Sequence, residues 1–350
     1  MVPRPLVPAV DATSVSVGEW LELQVELLLD AHRRGDRVAA QLLSGSGVSR
    51  GTDEDLLAAP LDPETARKAI AADHGYRDWA DVAAHAGQRI DTRFEAAADA
   101  IQWGEVETLR ALLDEHPALI RMRSPFVHRA MLLHHVAANG IEVERQLQSP
   151  PNAVEIMRLL LERGAEPDAV CETYGGGRKQ TTLYLLVSSA HPAAAGVQAP
   201  LVEELCRAGV RVNGLDDDGV PLWTAITFGY TDAAEALVRC GARVDNIVLA
   251  AALGDLETVA ACFAPDGSLG RDRPGIPDRF GPDGPPLPPD RVLDYALIQA
   301  AAHNRRQVVE FLLRKGPDLE FREPFFDASA RGVARHFGNG EIVELLEAHR

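Results

Sequence analysis

Apolar residues recur along this chain in short bursts at helical spacing, and four of the bursts end in the same way. Arg158-Leu159-Leu160-Leu161-Glu162-Arg163-Gly164-Ala165, Glu204-Leu205-Cys206-Arg207-Ala208-Gly209-Val210, Ala236-Leu237-Val238-Arg239-Cys240-Gly241-Ala242 and Phe311-Leu312-Leu313-Arg314-Lys315-Gly316 are versions of one phrase. Each reads as the end of an amphipathic helix stopped by a glycine, the residue that most easily takes the left-handed backbone of a helix C-terminus. Recurrence of such a unit predicts stacked helical repeats, each burying its apolar face against its neighbours.

Ahead of the repeats the pattern is helical but not repetitive. Trp20, Leu21, Leu23, Val25, Leu27, Leu28 and Leu29 form a broad apolar face within a helix over 18–44, broken at Gly35-Asp36. Residues 44–51 read as a Gly/Ser-rich loop. Asp62 is placed to cap a helix opened by Pro63, a residue tolerated in the first turn. That helix runs through Ala66, Ala69 and Ile70 to His74-Gly75, and Tyr76-Arg77-Asp78-Trp79 leads into another. The division expected is a loose tail at 1–15, where prolines are frequent, a helical module at 16–90 and a repeat array at 91–350.

Leu132-Leu133-His134-His135-Val136-Ala137-Ala138-Asn139-Gly140 resembles the ankyrin signature of a turn, Leu-His and two alanines before a glycine. Gly164-Ala165-Glu166-Pro167-Asp168 is similar to the hairpin that follows an ankyrin outer helix, and Gly209 stands 32 residues before Gly241, near the ankyrin period of about 33. The resemblance covers roughly 260 residues in six to seven repeats, several irregular. It implies an all-α ankyrin-repeat solenoid. Tyr184 and Trp223 take the place of the family's histidine in the third and fourth repeats. Residues 66–79 resemble a helical lead-in found ahead of ankyrin repeats in some bacterial proteins, whose physical role is to cover the first repeat's open face. Insertions are expected at 141–151, 173–180, 191–199 and 265–290. The last holds eight prolines and five glycines in 26 residues, which reads as a long surface loop, functional or disordered.

Composition narrows the partners. Alanine and leucine carry an apolar content of 46%, with only 5% aromatic residues, and the net charge is −17. Nucleic acid and anionic membrane both need basic surface, so neither is an expected partner. No apolar run approaches the roughly 20 residues of a membrane span. Cys171, Cys206, Cys240 and Cys262 are scattered without Cys-x-x-Cys spacing, as reduced core thiols of a cytoplasmic protein would be.

Candidate chemistry gathers between the second and third repeats. Tyr174-Gly175-Gly176-Gly177-Arg178-Lys179 is a glycine-rich loop followed by two cations. Its glycines allow close approach to a ligand, although it does not match a phosphate-binding loop, and a flexible hairpin tip is the plain reading. His134 has the position of the ankyrin histidine that satisfies backbone groups in the turns, while its neighbour His135 points elsewhere. A patch of His135, Tyr184 and His191, with Glu142, Glu144 and Tyr174 from the insertions, would offer acid–base groups. Ser188 and Ser189 near His191 have no nucleophile motif around them. Metal ligation is not expected, since no His-x-x-x-His or cysteine pair is present, and no cofactor is implied. Asp216-Asp217-Asp218-Gly219 reads as a turn rather than a calcium loop. Trp223, Phe228 and Tyr230 supply aromatic anchors for a partner, with core packing the plain reading of Trp223.

Two functions follow as expectations. One is a binding scaffold that grips a protein through its concave inner-helix groove and hairpin tips, as the resemblance implies. The other is a small-molecule binder or an enzyme of hydrolase, lyase or isomerase type, with a pocket between the second and third repeats built from the His/Tyr groups and the glycine loop.

Overall fold

The computed structural model describes residues 6–8, 12–173, 180–270, 277–281 and 284–349. The fold is all-α, with strand confined among these residues to the two-residue pair Val170–Cys171 with Gln180–Thr181, the three-residue pair Ser14–Ser16 with Arg89–Asp91, and isolated bridges. It divides into two compact units, Met1–Val210 and Arg211–Arg350.

The first unit opens with the helical module. Val17–Arg33 begins at a capping box in which Ser16 and Glu19 satisfy each other's backbone donors. It packs on Arg37–Gly45, Pro63–Asp73 and Trp79–His85. Asp62 does cap Pro63–Asp73, accepting from the amides of Glu64 and Thr65. Their shared core includes Trp20, Leu21, Leu28, Leu42, Ile70 and Phe126. Leu6 belongs to it as well. It is fully buried, its amide donates to Glu144, and its carbonyl accepts from Gln24. The expectation of a loose tail at 1–15 is therefore corrected at this point, where burial of one leucine and two hydrogen bonds hold the chain.

Three helix pairs follow in this unit: Thr92–Trp103 with Val106–Glu115, Leu132–His135 with Ala153–Glu162, and Thr182–Val187 with Gln198–Arg207. The first members pack on one another in chain order, and so do the second members. The second unit repeats the plan with Val220–Thr227 and Thr231–Arg239, Ile247–Leu253 and Leu256–Ala261, Val292–Ala302 and Arg306–Leu313, and Ala330–His336 and Gly340–Ala348. Inner helices are apolar all round because neighbours cover both flanks; Ile247–Leu253 is buried through Ala252. Gly241 stops its helix with φ +97°, a conformation that costs a residue with a Cβ. Within each unit the pairs lean on each other in single file, the all-α solenoid that the repeats predict.

The insertions are less irregular than their sequence. Residues 141–151 contain the 3₁₀ turn Val143–Gln146, and 191–199 fall mostly within the helices Ala190–Ala194 and Gln198–Arg207. The Pro/Gly-rich stretch is pinned to the core through buried Phe280 and Leu287.

Candidate functional site

In the first unit, the insertion at 141–151 carries a side chain that organises a buried polar cluster. Arg145 projects from the 3₁₀ turn toward Thr92–Trp103, where Glu95 and Asp99 stand one turn apart on the same face. Its guanidinium donates to Glu95 Oε2 at 2.8 Å, Asp99 Oδ1 at 3.0 Å and Glu142 Oε2 at 2.7 Å, and to the Glu95 carbonyl at 3.3 Å. All four side chains are buried. The planar fork of arginine, with five donors, suits such an arrangement, and removing one partner would strand charge in a low-dielectric interior.

Glu142 then reaches two histidines. His128 Nδ1 accepts the Ala130 amide at 3.1 Å, so its proton sits on Nε2, which donates to Glu142 Oε1 at 3.0 Å. His74 follows the last turn of Pro63–Asp73 and is 1% exposed. Its Nε2 donates at 2.7 Å to Gln24 Oε1, and the Gln24 amide is fixed by donating to the Leu6 carbonyl. His74 Nδ1 is thereby an unprotonated acceptor, has no hydrogen-bond partner, and lies 3.6 Å from Glu142 Oε1.

The electrostatics follow from burial and charge. Burial pulls His74 down to about 4 and pushes Glu95 up to about 7, against the pull of Arg145. Asp73 is raised to about 7 and Glu144 to about 8, both chiefly by desolvation. Glu142 resists the same burial, and Arg145 with the His128 bond holds it well below the usual carboxylate range.

A cavity of about 380 Å³ opens beside this cluster, lined among others by Asp73, His74, Tyr76, His128, Gln146 and Thr173. Thr173 is the last described residue before Tyr174, Gly175, Gly176, Gly177, Arg178 and Lys179, which lie outside the described residues. None of the five described members of the expected patch (His135, Tyr184, His191, Glu142 and Glu144) lines this cavity. His135 is buried against the rings of Phe94 and His128, with neither ring nitrogen bonded, and borders a void too small for water. Burial holds it well below 6.5. Glu144 is half-buried and accepts from the Leu6 amide. His191 is half-buried on Ala190–Ala194, and Tyr184 is half-buried on Thr182–Val187. Ser188 and Ser189 donate to the backbone carbonyls of Leu185 and Ala138. His134 does tie the turns: its Nδ1 accepts from Met131 and its Nε2 donates to the Ala169 carbonyl.

In the second unit, Phe228 and Tyr230 stack with ring centres 6.1 Å apart, and Phe326 meets Phe228 edge-on at 6.4 Å. With Phe325, His336 and Phe337 they line an apolar cleft of about 390 Å³. Phe228 is 43% exposed and Phe326 60%. The buried carboxylate of Glu323 accepts the amides of Phe325 and Phe326 at 2.7 and 2.9 Å, fixing the hairpin that presents both rings. Gly229 makes room for Phe337, whose ring lies where a Cβ would stand. Trp223 is 9% exposed and does not line the cleft, so its expected role as an anchor is corrected to core packing.

His74, His128 and Glu142, from separate segments, bring ligand-type atoms within 4.8 Å of one another, a grouping that no local spacing in the sequence displays. His74, Asp73, Glu95, Asp99 and Arg145 are not singled out by sequence reasoning. The signal for Glu95 and Asp99 was two carboxylates on an otherwise alanine-rich helix face. For Arg145 and His74 no local signal exists.

Both the helix pairing and the histidine-tied turns point one way. The repeats resemble those of ankyrin arrays. The chain is 28% identical over 211 residues to the ankyrin repeat and KH domain-containing protein mask-1 of Caenorhabditis elegans, a match covering 55% of this chain and 8% of that protein. The crystal structure of the human ASB11 ankyrin repeat domain is similar at 19% identity and a TM-score of 0.36, with 74% of this chain and 97% of that chain covered. No family model matches. Among the described residues, no helix is long and apolar enough to cross a membrane.

Proposed function

We propose that this chain is an ankyrin-repeat binding scaffold that engages a protein partner, with the aromatic cleft of the second unit as its principal anchor. The observation that supports this is the exposure of Phe228 and Phe326 beside Tyr230 and Phe337. Folding gains nothing from leaving such rings in water, and exposed aromatic clusters in a formed cleft are the usual anchors of protein interfaces. Ankyrin repeats most often serve as binding surfaces, and the inner helices and hairpin tips would widen the contact. None of the four cysteines is in a disulfide, which fits a reducing compartment such as the cytoplasm.

Affinity capture from the source cells tests the reading. The wild-type chain is expected to retain a partner that Phe228→Ala/Phe326→Ala, still folded by circular dichroism, loses by at least tenfold. The same proteins captured at the same levels by both would refute it.

The small-molecule reading keeps one favourable observation, the cavity of about 380 Å³ in the first unit. There the acid–base groups would be Asp73, His74 and His128 rather than His135 and His191.

A further inference from the structure

The buried cluster of the first unit is short of positive charge. Glu95, Asp99 and Glu142 share one guanidinium, that of Arg145. Yet the His74 ring presents an acceptor to one of these carboxylates. His74 Nδ1 points at a carboxylate oxygen 3.6 Å away with no proton between them to share. Two acceptors in that relation repel, and burying them costs energy unless something positive lies between.

The arrangement has the outer features of a metal site. His74 donates its other ring nitrogen to a fixed amide oxygen, as metal-ligating histidines do, which sets the tautomer and aims Nδ1. His128 cannot ligate in the same way, since the Ala130 amide occupies its Nδ1 and leaves the proton on Nε2. That proton goes to Glu142 Oε1 and orients the carboxylate. Arg145 holds the other oxygen. The second lone pair of Oε1 remains for a cation. The gap from Nδ1 to Oε1 is close to the ~3.4 Å separation of two donors on a tetrahedral zinc ion with bonds near 2.1 Å. The donor atoms of His74, His128 and Glu142 lie within 4.8 Å of one another, and the cavity beside them can hold the waters that complete the coordination.

We infer that His74 Nδ1 and Glu142 Oε1 bind one divalent transition-metal ion, of the zinc class, at the inner wall of the first-unit cavity, with His128 as the donor that positions Glu142. A nitrogen and a carboxylate oxygen favour zinc-class ions over magnesium or calcium, which take oxygen donors. His74 and His128 line the cavity while Glu142 lies behind them, so water reaches the ion from the histidine side.

The full-length chain, stripped with chelator and dialysed, is titrated with Zn²⁺ by calorimetry and with Co²⁺ by visible absorption. One ion per chain is expected, with visible cobalt bands, and His74→Gln weakens binding at least tenfold. Mg²⁺ at equal concentration gives no heat. In the wild-type chain labelled with ¹⁵N-histidine, Zn²⁺ is expected to shift His74 Nδ1 strongly and to leave the His128 Nε2–H proton in place, a readout that needs no variant to fold. Absence of a saturable one-to-one event, or no movement of the His74 Nδ1 signal, overturns the inference. These results bear on the first unit alone and are read separately from partner capture by the second.

Discussion

Arg145 is the residue on which the first unit's polar interior depends. Its three carboxylate partners come from one helix and from its own turn, and Arg145 is the guanidinium that all three share. Arg145→Met is therefore expected to cost about 3–5 kcal/mol, the usual consequence of stranding buried charge. Glu95→Gln should cost much less, because burial already brings that carboxyl to about 7 and an amide oxygen can still accept from Arg145. Urea denaturation of both variants checks the contrast; equal losses would contradict it. None of this is visible at the residue level in the sequence, where Arg145 is one arginine of an insertion and His74 is a residue at a helix end.

At the scale of elements, two buried histidines fasten neighbouring turns. His134 donates to Ala169, and in the second unit His303 donates to the Ile226 carbonyl at 3.0 Å while accepting from the Thr231 hydroxyl at 2.7 Å. Desolvation lowers each to about 4. The unfolded chain, near 6.5, takes up these protons more readily than the folded one. Each histidine thus adds stability that is full above pH 6.5 and is lost as pH falls toward 4, by up to about 3 kcal/mol each. Melting temperature measured across that range should fall, and His303→Asn should flatten part of the slope. An unchanged slope would contradict the assignment. Helix existence was largely legible, because the 3.6-residue period and glycine stops are local signals. The short helix Asp53–Ala58 was not, since Leu56 is its lone buried residue and no period can show in six positions. The insertions at 141–151 and 191–199 read as loops, but packing made turns and helices of them.

Across the whole molecule, the chain carries two kinds of feature that an array of identical repeats lacks. One is the charged interior and cavity of the first unit, assembled from segments 24–145 by tertiary contact and so invisible to motif reading. The other is the aromatic cleft of the second unit, of which Phe228 and Tyr230 were legible as a local cluster while Phe325, Phe326 and Phe337 join them only through the fold. Folding explains the first unit's arginine and the second unit's glycine at 229, but it does not explain why phenylalanines face solvent. Binding does. Hydrogen exchange of the full chain, alone and with its captured partner, tests that claim most directly. The account predicts slowed exchange at the amides around Phe228–Tyr230, Phe325–Phe326 and Phe337 in the complex. Protection confined to other surfaces, with these amides exchanging as in the free chain, would contradict it.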